Sequence, residues 1–195
     1  MKSYLAGAFL ALTLAFGASQ ASALTLDFSD ESGGILGGGL FQLTTDHPSG
    51  NPTVNSGNCA IAPCLEVTPN NNPNVTGGEI VTLSRVGGGT FSVTEFWFQF
   101  LGRALDNTLR VTGGSSLVDF VQTSYPHNNG GQTVSVAGLF DNITSISFQN
   151  LNRGSVRIDD IEVSIAPVPV PAAGLLLLTA LGGMAFWRRR TVATA

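Results

Sequence analysis

After Lys2 the chain contains no lysine, and charged residues of all kinds make up only 11% of its 195 residues. Recognition of a phosphate backbone needs a basic footprint, so nucleic acid is excluded as a partner. Histidine is almost missing as well, with His47 and His127 the only two. No His-Glu-x-x-His helix, no Gly-x-Ser-x-Gly elbow and no Lys-Ser/Thr after a glycine-rich stretch is present. Those absences remove the metalloprotease, α/β-hydrolase and phosphate-loop readings. Cysteine is equally scarce: Cys59 and Cys64 enclose Ala60-Ile61-Ala62-Pro63. Two Cys without neighbouring His are too few for a tetrahedral zinc site, and in an exported chain the pair reads as a small local disulfide.

The long apolar runs stand at the two ends. Met1-Lys2-Ser3 leads into the run Tyr4 to Phe16 and then into Gly17-Ala18-Ser19-Gln20-Ala21-Ser22-Ala23. A basic start, a short hydrophobic region and a small-x-small site form a secretory signal peptide over residues 1–23, cleaved after Ala23. The alternative, a membrane helix, needs about 20 apolar residues, more than this run supplies. At the other end, residues 167–172 carry three prolines, an apolar stretch over residues 173–187 follows, and Arg188-Arg189-Arg190 opens the tail 188–195. The pattern predicts a transmembrane helix over 173–187. Its arginines stay on the cytoplasmic side, Trp187 sits at the interface, and residues 24–166 lie outside.

Val168-Pro169-Val170-Pro171-Ala172, the Leu-rich run with Gly182-Gly183, and Arg188-Arg189-Arg190 resemble the PEP-CTERM class of sorting signals, in its VPxPA variant. Val170 stands where that variant more usually has Leu, and the Glu of Pro-Glu-Pro is absent. The resemblance implies a membrane-embedded exosortase as processing partner. It also implies delivery to the cell surface or exopolysaccharide matrix of a Gram-negative bacterium.

The body between these ends holds all 13 Asp and Glu but only Arg85, Arg103, Arg110, Arg153 and Arg157, a net charge of −8. Strand signals run through it without an amphipathic helix. Leu24 to Phe28, Leu40 to Thr44, Ile80 to Ser84 and Phe91 to Phe100 alternate. So do Thr108 to Thr112, Leu117 to Gln122, Gln132 to Ala137, Ile143 to Gln149 and Val156 to Ile165. Turns are expected at Gly87-Gly88-Gly89, Gly113-Gly114, Asn128-Asn129-Gly130-Gly131 and Asp141-Asn142, and the Pro-, Asn- and Gly-dense stretch from His47 to Gly78 reads mostly as loop. About eight to ten short strands at this spacing predict an all-β fold, an antiparallel β-sandwich. Gly89-Thr90-Phe91-Ser92-Val93 and the closing Val156-Arg157-Ile158-Asp159-Asp160-Ile161-Glu162-Val163 resemble the jelly-roll sandwiches of galactose-binding-like and carbohydrate-binding modules.

Three sets of residues are candidate sites. In the jelly-roll group a structural calcium often joins the first and last strands; Asp27, Asp159 and Asp160, with Asp30 and Glu31 nearby, are the oxygen ligands such an ion needs, or else are solvated acids. Phe96, Phe98 and Phe100 point into the core and place Trp97 on the opposite face. Trp97, Tyr125, Asn128 and Asn129 then offer an aromatic platform with amide hydrogen bonds for a sugar. Under a covering loop, or with the alternation read the other way, Trp97 is core instead. Cys59 and Cys64 form the third set. The expected function is that of an exported, noncatalytic surface or matrix protein that binds glycan, exopolysaccharide included. The alternatives are a secreted hydrolase acting on extracellular polymer and a purely structural surface protein.

In a Gram-negative host the expressed chain is expected outside the cytosol, shortened and with Cys59 and Cys64 oxidised. Cell fractionation with thiol labelling checks this: full-length product in the soluble interior with both thiols free overturns it.

Overall fold

The computed structural model describes residues 22–29, 34–47, 52–55, 59, 63–69, 78–102, 107–125, 130–152 and 154–165. The sorting motif Val168 to Ala172, Arg188 to Arg190, and most of the signal peptide lie outside them. Among the described residues no helix is long and apolar enough to cross a membrane.

The described residues form twelve strands: β1 Ser22–Leu26, β2 Ile35–Leu36, β3 Phe41–Thr45, β4 Thr53–Asn55, β5 Cys64–Val67, β6 Ile80–Arg85, β7 Phe91–Leu101, β8 Thr108–Gly113, β9 Ser116–Val121, β10 Gln132–Ile143, β11 Ser145–Asn150 and β12 Ser155–Ile165. A single 3₁₀ turn, Gln122–Ser124, follows β9. All pairings are antiparallel, and they build two six-stranded sheets, a β-sandwich as the alternation predicts. Sheet A runs β10-β7-β12-β5-β4 with β1 also on β12, and sheet B runs β2-β3-β6-β11-β8-β9. Gly87, Gly88 and Gly89 all take positive φ, 77°, 84° and 102°, which is why only glycine serves the turn from β6 into β7.

Phenylalanine fills the gap between the sheets. Phe96, Phe98 and Phe100 of β7 are fully buried as their spacing predicts. Phe96 meets Phe120 of β9 and Phe148 of β11 edge-on, with ring centroids 5.7 and 5.6 Å apart. Phe41 of β3 meets Phe91 of β7 at 5.2 Å. Large rings suit facing sheets about 10 Å apart, and edge-to-face contact adds about 0.5–1.5 kcal/mol per pair beyond burial.

Three sequence expectations need correction. The stretch 47–78 is not all loop: β4 and β5 lie within it, because Leu65 and Val67 pair with Ile158 and Val156 and enter the core. The expected gap at Asp141-Asn142 is a kink inside β10, with Asn142 at φ 52°. Leu40 is an exposed turn residue, and β3 starts one residue later. Cleavage at the expected point after Ala23 would leave Leu24, Thr25 and Leu26 of β1 in the mature chain, where they pair with Val163, Glu162 and Ile161.

One buried carboxylate joins the sheets. Glu79, fully buried just before β6, accepts from Thr45 Oγ1 at the end of β3 at 2.7 Å. Its other oxygen accepts from the backbone N–H and hydroxyl of Thr68, just past β5, at 3.0 and 2.9 Å. Removing it strands three donors, each costing about 1–3 kcal/mol if left unsatisfied. Glu79→Ala is therefore expected to destabilise the domain by about 2–4 kcal/mol, read from urea unfolding, with the fold retained below the transition.

Candidate functional site

The outer face of sheet A carries the polar side chains that its inner face excludes. Along β7, Trp97 and Gln99 alternate with the core residues Phe96, Phe98 and Phe100; along β12, Arg157 and Asp159 alternate with Val156 and Ile158. The ladder aligns them in two rows. Gln99, Arg157, Glu66 and Thr53 stand opposite one another across β7, β12, β5 and β4. Thr133, Trp97 and Asp159 do so across β10, β7 and β12. Successive residues on one face are about 6.6–6.8 Å apart along a strand, so the rows are neighbours.

This face is recessed. Trp97 is 8% exposed, Gln99 3%, Arg157 8% and Asp159 0%, whereas Thr53 and Thr133 at the ends of the rows are exposed. Gly131, just before β10, presses its backbone on the indole and leaves no room there for a Cβ. Arg157 Nη2 lies 3.5 Å from Glu66 Oε2, while its Nε and Nη1 have no hydrogen-bond partner among the described residues. Cys64, two residues before Glu66 on the same face, is bonded to Cys59 as expected, so the 59–64 ring is fastened beside the rows.

The expected platform does not assemble as a unit. Trp97 is on the outer face, but Tyr125 packs edge-on against the core ring Phe98 at 5.2 Å and against Phe120 at 5.7 Å. The two aromatics thus stand on opposite sides of β7. Asn128, Asn129 and His127 lie outside the described residues. Gln99, Arg157 and Glu66 were not singled out by the sequence. Alternation marks each as outward, but nothing local says that strands so far apart in the chain will align.

The acids divide similarly. Asp159 belongs to the outer face and accepts the backbone N–H of Asp160 at 2.9 Å. Asp160 takes φ 47° where the register of β12 shifts, and it comes near enough to Asp27 to feel its charge. Asp27 accepts from the Ser29 backbone N–H and hydroxyl at 3.3 and 2.7 Å. Among the described residues no three His, Cys, Asp or Glu side chains come together as a metal site.

No protein-family model and no curated protein matches the chain. Several solved structures are similar in shape. A family 29 carbohydrate-binding module is 13% identical, covering 75% of this chain and 90% of its own at a TM-score of 0.46. A mutant of such a module complexed with cellulohexaose is 14% identical, covering 75% and 93% at 0.45. The K3 cleaved adhesin domain of Lys-gingipain from Porphyromonas gingivalis is 15% identical, covering 75% and 100% at 0.40.

Burial, and after it the Asp27 carboxylate, push the Asp160 carboxyl above the ordinary aspartate range. A raised folded value means that folding favours the protonated acid. Stability therefore falls as pH rises from about 3.9, the unfolded value, through the folded one, and the loss persists above it. Asp160→Asn keeps a residue type that tolerates left-handed φ. It is expected to melt higher than the parent at pH 7, with the difference shrinking toward pH 4 in thermal unfolding.

Proposed function

We propose that this chain is an exported, noncatalytic cell-surface or matrix protein whose sandwich binds neutral glycan on the outer face of sheet A. The carrying observation is Arg157, a nearly buried guanidinium on a face that is not core, with two donor nitrogens unpartnered among the described residues. A buried donor without a partner costs about 1–3 kcal/mol, and a ligand oxygen removes that cost. Around it stand an amide (Gln99), two carboxylates (Glu66, Asp159) and an indole (Trp97). Sugar hydroxyls both donate and accept, so this mixture of donors and acceptors suits a saccharide. Two carboxylates against one guanidinium, on a body of net charge −8, favour a neutral ligand over an anionic one.

Export and exosortase sorting are supported by the signal-peptide pattern over residues 1–23 and by Val168 to Ala172 followed by Arg188 to Arg190. The membrane is then a partner through residues 173–187, before any processing. A structural calcium beside Asp27 and Asp160 would relieve their mutual repulsion; added calcium raising the melting temperature of the parent more than that of Asp160→Asn tests it.

A glycan array probed with the full chain is expected to show binding to neutral polysaccharide. Arg157→Gln and Gln99→Ala should each weaken it at least tenfold, about 1.4 kcal/mol. A flat array would leave the purely structural reading. Polymer turnover abolished by His127→Ala would replace the proposal with a hydrolase.

A further inference from the structure

Edge strands expose unpaired N–H and C=O groups, and proteins blunt them with Lys, Pro, bulges or very short strands. Among the described residues five edges are free, and three are blunted or shortened in such ways. β2 has two residues and β4 three. β10 has two register shifts. β1 presents only Ser22, Ala23 and Thr25 as exposed side chains. The fifth, β9, carries no such device, and no other strand lies on its free side among the described residues. All six of its residues pair with β8 in unbroken register, and it has no proline and no lysine. Its outer side exposes Leu117 at 56% and Val121 at 37%. The one charge between them, Asp119, is held by Arg110 of β8 through two hydrogen bonds of 2.8 Å.

We infer that β9 is a self-association edge, pairing antiparallel with β9 of a second copy about a two-fold axis so that sheet B continues from one molecule into the next. Parity selects the register. Val118 and Phe120 face the core while Leu117, Asp119 and Val121 face out, and residues opposite one another across a ladder share a face. The axis therefore passes through a residue pair and not between residues. Centred on Val118, Leu117 would oppose Asp119. Centred on Asp119, Leu117 opposes Val121 twice, and the two Asp119 carboxylates oppose one another, their repulsion offset by the Arg110 that each already holds. The second register matches apolar with apolar and leaves no unpaired charge, which is the self-complementarity a two-fold interface requires.

The disulfide leaves no free cysteine among the described residues, and Cys59 and Cys64 are the only two in the sequence, so one introduced thiol reports one position. In the full chain, Asp119→Cys is expected to give a disulfide-linked dimer on a non-reducing gel after mild oxidation. Leu139→Cys, at an exposed position on β10, should not. Adding Leu117→Lys to Asp119→Cys should reduce the dimer at least tenfold. Should Asp119→Cys fail to fold, the double variant Leu117→Cys/Val121→Cys reads the same register. A monomer in both cysteine variants, or equal crosslinking through Leu139→Cys, overturns the inference.

Discussion

A strand has two edges, yet β12 serves three neighbours, and the sandwich depends on how it does so. One edge pairs with β7. The other is divided: Val156 to Ile158 pair with β5, and Ile161 to Ile165 pair with β1. The division falls at Asp159 and Asp160, where the register with β7 also shifts and Asp160 turns to positive φ. A bulge of this kind re-aims side chains and bends the strand. Here it lets Ile158 and Ile161, three residues apart, both enter the core. It also sets Asp160 near Asp27.

The candidate site follows from that arrangement. Arg157 and Asp159 precede the bulge in regular alternation, so both lie on the outer face beside Trp97 and Gln99 of β7. Beyond the bulge the face changes character, with Glu162 of β12 taken up by Thr94 Oγ1 at 2.9 Å. The polar floor thus ends at the bulge. Its polar groups are held by strands and not by loops, which favours a fixed geometry for recognition.

Much of the fold was legible because its signals are local. Period-two alternation placed Phe96, Phe98 and Phe100 inside, and glycine runs marked Gly87 to Gly89 as a turn. β5 was hidden because Cys64-Leu65-Glu66-Val67 is short and sits in a loop-like stretch; its partners on β12 lie far along the chain. The kink at Asn142 was misread for the opposite reason, since a turn signal there bends a strand without ending it. At the site, Trp97 and Asp159 were visible as candidates. Their alignment in one row, and that of Gln99, Arg157 and Glu66 in the next, is a matter of long-range register. Tyr125 went to the core because Phe98 and Phe120 leave an apolar rim for its ring, information held in packing and not in spacing.

β1 and β12 run antiparallel with Ser22 opposite Ile165, so the polypeptide enters and leaves the sandwich at adjacent points. A load that draws these two ends apart would act across the ladder and open its rungs one after another from the outer end, instead of shearing all of them together. Such a module yields at low force from its ends while Phe96, Phe98 and Phe148 keep the interior closed. Tethered by one end only, it feels no such load, and its first and last strands stay zipped.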